Sequence, residues 1–533
     1  MLLRPSLLAL AAALGSAWVS LSPTLLPRAW YFQGLVTGLA MALGYGLGVL
    51  LLAVFRPLLV RCGWDTDQRP WSVRTELRLR RSGLVVVAGA AVWVAVVATR
   101  EHAWTWRRLG YEPGSHVWVY TGTFALALLV AGLLVVGLAV VRLAWRLGHR
   151  AGRVVLPSWL AAVLSLVVVV GGGVMLLDIH VYQRTLGTVN EAFAFSDRQV
   201  DLSVHPVPTS RHRSGGPASR VSWATLGHEG RDFVARGPSA ARLRGAWAGP
   251  GSGDPPPIEP VRAFVGLEAD AEPVVRARTA VAELERLGGL DRGRVLVVLP
   301  TGTGWVNERI VRPLERLAGG DVATVAMQYS HLPSPLAFLG ERGSAVESGV
   351  ALVAAVEERL ATRGADRPQL LVAGESLGAY GLAGAFGDLE ELLARTDGAL
   401  FVGAPAMTGL RREAEEDRRP GSPHVRPVVG DGRRVVFANR PADLGGALPD
   451  AVFLQQLDDG VAWWDWRTAF RRPDWLAEPL APEVNPALEW RPLVTFLNLT
   501  VDMAVSNNFD EGHGHRYGTM PRDAWVRILA AER

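Results

Sequence analysis

Long apolar runs dominate the first 180 residues of the chain, and none of these runs contains Asp, Glu, Lys or Arg. Most of them are long enough, or nearly so, to cross a hydrocarbon core of ~30 Å at ~1.5 Å per helical residue. Aromatic residues lie at several of their ends, where amphipathic rings favour a membrane interface. The pattern predicts an all-α transmembrane domain over residues 1–180, with about five helices. The predicted segments are Leu7–Leu21, Tyr31–Phe55, Gly83–Thr99, Trp118–Val141 and Leu160–Leu177.

Arginines flank these runs unevenly, and the asymmetry predicts an orientation. The loop 56–81 carries seven Arg and the loop after the fourth run carries four, whereas the loop 100–117 holds three. The positive-inside rule places the two Arg-rich loops in the cytoplasm, so five crossings put everything after about Asp178 outside a cytoplasmic membrane. The first run also resembles a signal peptide, because Arg4 precedes it. No clear cleavage site follows, so an uncleaved helix is favoured.

Turn-forming residues fill much of 181–257, which is predicted to be a connector. The stretch 249–257, rich in Gly and Pro, is the best candidate for a domain boundary. A chain that begins near Pro255 is therefore expected to fold on its own.

Beyond residue 258 short apolar runs alternate with amphipathic stretches such as Val346–Leu360, where apolar residues recur at spacings of three and four. Strands that alternate with helices imply right-handed crossovers and a mainly parallel, doubly wound sheet. Residues 258–533 are predicted to form one domain of this α/β class. The predicted strands are Arg294–Leu299, Thr324–Tyr329, Gln369–Ala373, Ala399–Gly403, Arg434–Ala438 and Ala451–Gln455.

The sequence GESLG at residues 374–378 ends one of these strands and precedes a helix-forming stretch, 379–395. In this context Gly-x-Ser-x-Gly puts a serine on a sharp, strained turn, and the glycines leave room for neighbouring backbone. The helix that follows directs its free N–H groups toward a developing oxyanion. The motif predicts that Ser376 is the nucleophile of a serine hydrolase with the α/β-hydrolase fold. The alternative is an ordinary tight turn.

A serine nucleophile needs a base and a carboxylate that orients the base, in the chain order Ser, acid, His. Asp458 and Asp459 follow the last predicted strand, and two histidines lie in the GHGHRY stretch at 512–517. Asp459 and His513 are preferred, because a glycine on each side of His513 lets its ring swing out. Asp458 and His515 stay as alternatives.

The oxyanion hole is expected to combine the N–H of Leu377 with an N–H from the loop PTGTGW at 300–305, at Gly302 or Thr303. A simple glycine-rich turn is the alternative. The two histidines lack a strong third ligand for a metal, and the single cysteine, Cys62, excludes a cysteine cluster. No metal and no cofactor are expected.

Tryptophans cluster between the predicted acid and the histidines. Core packing is the favoured interpretation, and the lining of an acyl pocket or contact with a membrane surface is the alternative. They are Trp463, Trp464, Trp466, Trp475 and Trp490.

The composition agrees with a membrane protein, since 49% of the residues are hydrophobic and the mean hydropathy is +0.18. The net charge of +4 is weak evidence for nucleic-acid binding, because its clusters flank apolar segments. The expected partners are therefore the lipid bilayer and an apolar ester, and not nucleic acid. The oligomeric state stays open.

Several motifs together resemble a bacterial family of membrane-anchored α/β-hydrolases, which joins an N-terminal multi-helix membrane region to a C-terminal hydrolase domain. The resemblance implies Ser376 as nucleophile and a catalytic histidine within GHGH. The family's acid is followed by Pro, whereas Gly460 follows Asp459 here, which leaves Asp458 open. The motifs are SLSPTLLPR, ALGYGLGVL, PTGTGW, GESLGAYG, LDDGVAWW, RPDWL and GHGHRYG.

The leading hypothesis is a membrane-anchored hydrolase that cleaves a lipid or other apolar acyl ester through an acyl-enzyme. An envelope acyltransferase with the same triad is the first alternative, and only product analysis with candidate acceptors separates the two. A non-catalytic transporter or sensor with a hydrolase-like ligand-binding domain is the second. Charged residues inside the spans would support transport, and the predicted spans have none.

Overall fold

A computed structural model of the chain describes residues 7–61, 73–110, 116–152, 205–245, 256–332, 334–481 and 484–531. The chain divides into two compact units. The first unit comprises Met1–Tyr182 and Trp466–Asp502, and the second comprises Gln183–Asp465 and Met503–Arg533. This division differs from the predicted domains, because 466–502 groups with the N-terminal unit and most of the predicted connector, 181–257, groups with the sheet.

Four helices form the N-terminal part of the first unit, within the residues that the structure describes. Two stretches, Trp30–Phe55 and Thr121–Leu147, are long and apolar enough to cross a membrane. The predicted segment Gly83–Thr99 falls inside the third helix, and Leu160–Leu177 lies outside the described residues, so a bundle of five spanning helices stays a prediction. The helices are α1 (Leu7–Ser20), α2 (Trp30–Arg61), α3 (Val73–Arg108) and α4 (His116–Gly152).

Glycines on α2 let two neighbouring helices approach it closely. A Cβ added at Gly48 would lie 2.6 Å from the Cα of Ala9 on α1. A Cβ at Gly38 would lie 2.7 Å from the Cβ of Val130 on α4. Small residues at such contacts are typical of helix packing in membranes, where van der Waals contact replaces the hydrophobic effect.

The second unit is built on a seven-stranded sheet in the order β1-β3-β2-β4-β5-β7-β6, with all neighbouring pairs parallel. The strands are almost completely buried, as expected for a parallel sheet covered by helices. The predicted parallel α/β class is therefore correct. The strands are β1 (Val261–Val265), β2 (Arg294–Leu299), β3 (Val322–Met327), β4 (Gln369–Glu375), β5 (Gly398–Val402), β6 (Val435–Ala438) and β7 (Ala451–Leu454).

The apolar pattern missed strand β1, because Arg262 interrupts it. This side chain is fully buried, and its charge is compensated by two carboxylates on the helix after β2. Arg262 Nε donates to Glu315 at 2.7 Å, and one terminal nitrogen donates to Glu308 at 2.5 Å. A buried charge is tolerated when it is paired and hydrogen-bonded, so hydropathy alone cannot recognise this strand.

The helices of the second unit include the predicted 346–360 helix, which extends over Arg342–Ala361. The predicted 379–395 helix is instead two helices, because Asp388 begins the second one by accepting the N–H of Glu391 at 2.7 Å. The helices up to residue 463 are α5 (Gly227–Ala235), α6 (Ala240–Gly245), α7 (Pro273–Arg286), α8 (Glu308–Leu317), α9 (Ser334–Gly340), α10 (Arg342–Ala361), α11 (Leu377–Ala383), α12 (Leu389–Arg395), α13 (Gly409–Glu416) and α14 (Gly460–Trp463).

The segment 466–502 contains α15 (Asp474–Ala477) and most of α16 (Val494–Val505), and α17 (Met520–Ala531) closes the described chain. Within the first unit, buried Arg28 fastens this segment to the residues before α2. The Arg28 guanidinium donates to Asp502 at 2.9 Å and to the Asn498 side chain at 2.8 Å. The Leu25 N–H donates to the second Asp502 oxygen at 3.2 Å. These bonds explain why the segment groups with the N-terminal helices.

Candidate active site

Ser376 lies directly after β4 and directly before α11. Its backbone has φ 56 and ψ −125, and a positive φ is rare for a residue with a side chain. Such strain persists only where the surroundings enforce it, and it clusters at functional sites. Here the Ser376 N–H donates to the carbonyl of Val402 on β5 at 2.9 Å, which ties the turn to the sheet. The serine therefore stands on the strained strand–helix turn that the GESLG motif predicts.

The two glycines of the motif are required by close backbone approach. A Cβ at Gly374 would lie 2.7 Å from the backbone of Gly378. A Cβ at Gly378 would in turn lie 2.2 Å from the carbonyl oxygen of Leu299, at the end of β2. Because real Cβ atoms do not approach so closely, side chains at either position would force the turn open.

Two His–Asp pairs involve the histidines of the 512–517 loop, and the first is formed by buried Asp459 and buried His515. His515 Nδ1 lies 2.7 Å from one Asp459 carboxylate oxygen, and the Tyr517 hydroxyl donates to the same oxygen at 2.7 Å. The other Asp459 oxygen accepts the N–H of Val461 at 2.9 Å, where Asp459 caps α14. With both oxygens engaged, Asp459 holds the His515 ring in one orientation.

His513 forms the second pair, with Asp458 and not with Asp459. Its Nδ1 lies 2.9 Å from Asp458, and the side chain of His513 is 31% exposed. Asp458 also accepts the Gly514 N–H at 3.0 Å. Burial raises the pKa of Asp458, and its bonds to His513 and Gly514 partly offset this. The structure thus pairs Asp459, the preferred acid, with His515, the alternative histidine. It pairs His513, the preferred histidine, with Asp458, the alternative acid.

Gly514, which follows His513, is needed for packing and not for freedom of the His513 ring. Gly514 has φ 58, and a Cβ there would lie 2.3 Å from the carbonyl oxygen of Ser506. The His515 N–H donates to that same carbonyl at 2.9 Å. The glycine is thus needed for close packing that fixes the loop. This packing holds His515 in place.

The second ring nitrogen of His515, Nε2, is buried and has no hydrogen-bond partner within the described ranges. Burial lowers the pKa of His515, but attraction to Asp459 and Glu375 outweighs it, so the pKa is raised above 6.5. An imidazole with Nδ1 on a carboxylate and a free Nε2 has the arrangement of a general base.

Ser376 and His515 line the same cavity, of about 90 Å³. His513 is not among its lining residues in the described part of the chain. Apolar side chains form much of the rest of the wall, so the cavity suits an uncharged group beside the serine. The remaining lining residues are Thr301, Trp305, Phe338, Glu375, Val461, Met503 and Asn507.

The predicted oxyanion donors belong to two segments, the start of α11 and the loop after β2. Leu377 is the first residue of α11, where a helix leaves its N–H groups without internal partners. The loop after β2 contributes Thr301 and Trp305 to the cavity wall. Gly302 and Thr303 belong to this loop. Neither they nor Leu377 are among the described lining residues, so the donor role of all three stays a prediction.

Two residues of this site were missed from the sequence. Tyr517 is buried, and burial together with the Asp459 carboxylate raises its pKa well above 10.0, so it stays a hydrogen-bond donor. The signal available in the sequence was its place two residues after His515. The other is Glu375. It lies inside the GESLG motif, but the motif pattern specifies only the serine and the glycines.

A parallel seven-stranded sheet with a serine on the strained turn after its central strand defines an α/β-hydrolase fold. The chain belongs to the alpha/beta-hydrolase family, whose profile matches residues 261–533. The profile for the N-terminus of that family matches residues 21–238. No curated protein and no solved structure matches the chain.

Proposed function

We propose that the chain is a membrane-anchored serine hydrolase that cleaves an apolar acyl ester through an acyl-enzyme on Ser376. His515 is the general base, and Asp459 orients it and stabilises the imidazolium that forms. The observation that carries this proposal is the buried Nε2 of His515, which has no hydrogen-bond partner among the described residues, on the cavity that Ser376 also lines. This assignment replaces His513, which pairs with Asp458 and is not among the described residues that line the cavity of Ser376.

In the proposed reaction, His515 Nε2 takes the proton of the Ser376 hydroxyl as the oxygen attacks the ester carbonyl. The developing oxyanion accepts hydrogen bonds from the N–H of Leu377 and from the loop of Gly302 and Thr303. The imidazolium then gives its proton to the leaving alcohol, and the acyl-enzyme remains. Water, activated by the same nitrogen, hydrolyses the acyl-enzyme and regenerates the serine.

The cavity wall supports an apolar substrate with a small reacting end. Trp305, Phe338, Val461 and Met503 contribute uncharged surface beside the serine. A cavity of about 90 Å³ is well below the roughly 300–1,000 Å³ typical of sites that enclose a drug-sized molecule. We therefore propose that only the ester group and its nearest carbons enter, while the rest of the substrate lies outside this cavity.

The outward faces of the N-terminal helices support the membrane anchor. Leu43, Leu47 and Leu50 on α2 and Leu129 and Leu133 on α4 are each more than half exposed. Contiguous apolar surface on this scale is unfavourable in water but is matched by lipid. Together with the Arg asymmetry, this supports a multi-pass protein of the cytoplasmic membrane with the hydrolase domain outside the cytoplasm.

A polar cluster inside the same helices agrees with this arrangement. The Ser20 hydroxyl donates to Thr37 at 2.9 Å, and the Gln33 amide donates to the Ser20 carbonyl at 3.0 Å. All three residues are buried. Polar groups inside and apolar groups outside is the distribution that a lipid environment favours.

Labelling of the purified full-length protein with a fluorophosphonate probe tests the proposal. We expect covalent labelling of the wild type and none of Ser376→Ala. Hydrolysis of short p-nitrophenyl esters should disappear in the same variant. Equal labelling or equal ester turnover in both proteins would refute the serine mechanism. Product analysis with added alcohols distinguishes hydrolysis from acyl transfer.

A further inference from the structure

Glu375, which directly precedes the nucleophile, is a buried carboxyl group that the triad mechanism does not use. Its side chain is 7% exposed, and it lines the same cavity as Ser376 and His515. One of its oxygens, Oε1, lies 4.0 Å from Nε2 of His515. This separation is too long for a hydrogen bond but short enough for strong attraction between opposite charges in a buried site.

Asn307 holds the other oxygen of Glu375 in place. The Asn307 side-chain N–H donates to Glu375 Oε2 at 2.6 Å. The Asn307 carbonyl oxygen accepts the Arg309 N–H at 2.8 Å and so caps the start of α8. Because its amide is fixed at both ends, Asn307 keeps the Glu375 carboxylate beside His515 and limits its movement into direct contact with Nε2.

Few ionisable groups surround the His515 ring. Asp459 faces Nδ1 from the start of α14, and Glu375 faces Nε2 from the end of β4. Tyr517 contacts the ring edge-on at 5.8 Å between ring centroids, and its hydroxyl also binds Asp459. The other neighbouring pair, His513 with Asp458, is engaged internally. Among the described residues, Glu375 is thus the carboxylate that faces Nε2, on the side of the ring that meets the serine.

We propose that Glu375 is a positioning residue whose carboxylate stabilises the protonated form of His515 during acyl transfer. The inference rests on the proposed serine mechanism. At 4.0 Å the carboxylate attracts the imidazolium without taking the hydrogen bond that Nε2 must make to Ser376 and the leaving group. Glu375 therefore acts through His515 and need not contact the substrate.

The sign of the pH effect follows from this geometry. A negative charge beside Nε2 favours the protonated ring, so it raises the pKa of His515, in addition to the effect of Asp459. The base works only when Nε2 is unprotonated, so activity is present above this pKa and is lost as the pH falls through it. Burial raises the pKa of Glu375 itself above its usual value, and Asp459 adds to this. Attraction to His515 and the hydrogen bond from Asn307 partly offset the rise.

The test measures the second-order rate of fluorophosphonate inactivation against pH, because this rate reports on the free enzyme without a natural substrate. Glu375→Gln keeps the shape of the side chain and removes the charge. At low pH the inactivation rate falls as His515 becomes protonated, and this part of the profile is its acid limb. In Glu375→Gln we expect the acid limb to move to lower pH by about one unit. The rate on the plateau should fall roughly three- to tenfold, because the imidazolium in the transition state is less stabilised.

Two further variants make the outcome decisive. Glu375→Asp restores a charge farther from Nε2, so its acid limb should lie between those of the wild type and Glu375→Gln. Glu390→Gln, which removes an exposed carboxylate on α12, should leave both the limb and the plateau unchanged.

An acid limb that stays in place in Glu375→Gln, with or without a lower plateau, would overturn the inference and indicate a purely structural role. Thermal melting of each variant shows whether it is folded. If Glu375→Gln does not fold, an unshifted limb in Glu375→Asp overturns the inference equally. Failure of the serine mechanism would look different, because the wild type itself would then not be labelled at Ser376.

Discussion

Nδ1 of His515 lies 2.7 Å from a carboxylate oxygen of Asp459, and both side chains are buried beneath the surface of the second unit. Two residues away, His513 makes a similar bond, but with 31% of its side chain exposed. The two pairs have the same chemistry and differ in burial and in access to the cavity of Ser376.

The two histidines should differ sharply in their importance for activity. His515→Ala removes the proposed base, so we expect ester turnover to fall by roughly 10⁴-fold or more. His513→Ala removes only an outer contact and should lower turnover less than about tenfold. Steady-state rates with a p-nitrophenyl ester measure both.

Substitution of each aspartate should change ester turnover to an extent that depends on the histidine with which it pairs. Asp459→Asn is expected to be severe, because the carboxylate selects the tautomer of His515, whereas Asp458→Asn should be mild. An active His515→Ala protein alongside an inactive His513→Ala protein would reverse the assignment.

Gly403 should be essential for the geometry of the site. A Cβ there would lie 2.3 Å from the His515 ring and 3.1 Å from Asp459, so Gly403→Ala should displace the base and reduce turnover by about 10²-fold or more. Gly430 is the matched control, since both glycines have φ 55 but a Cβ at Gly430 meets nothing within 4 Å. Gly430→Ala should cost about 1–2 kcal/mol of strain and leave turnover intact. Equal effects would attribute the Gly403 phenotype to strain alone.

The ion pair between Arg28 and Asp502 should matter for stability. Both side chains are 1% exposed, so Arg28→Met leaves an uncompensated buried carboxylate and should destabilise the protein by about 3–5 kcal/mol. Arg28→Met combined with Asp502→Leu should recover much of this loss. Thermal unfolding in detergent measures the difference. Arg491→Gln, which breaks a pair with largely exposed Glu489, should cost less than about 1 kcal/mol.

A chain truncated to residues 256–533 should be poorly soluble, contrary to what the linker composition predicts. It would retain Asp502 and Asn498 but lack Arg28, which binds both. We expect aggregation, measured by size-exclusion chromatography. A monodisperse, active truncated protein would show that 466–502 does not depend on the N-terminal helices.

The Arg asymmetry predicts the membrane topology. A reporter fused after Arg533 should report an extracytoplasmic position, and one inserted in the loop 56–81 should report a cytoplasmic one. A cytoplasmic signal from the C-terminal fusion would contradict both the number of spans and the localisation.

Local sequence patterns predict those features of the fold that depend only on residues close together in the chain. Six of the seven strands were found as apolar runs, because a parallel sheet buries both faces of each strand. The position of Ser376 on a strained strand–helix turn also follows from adjacent residues, since GESLG holds the serine together with the glycines that the turn requires.

Only the tertiary structure decides which residues far apart in the chain become partners. The partners of His513 and His515 depend on how the 512–517 loop packs on Ser506, and two histidines in GHGH look equivalent without it. Arg262 interrupts the apolar pattern of strand β1, and the carboxylates that allow its burial, Glu308 and Glu315, lie 46 and 53 residues away. The grouping of 466–502 with the N-terminal helices depends on Arg28 and Asp502, 474 residues apart. Hydropathy and spacing describe neighbours along the chain, whereas these pairings are set by burial and charge in the folded protein.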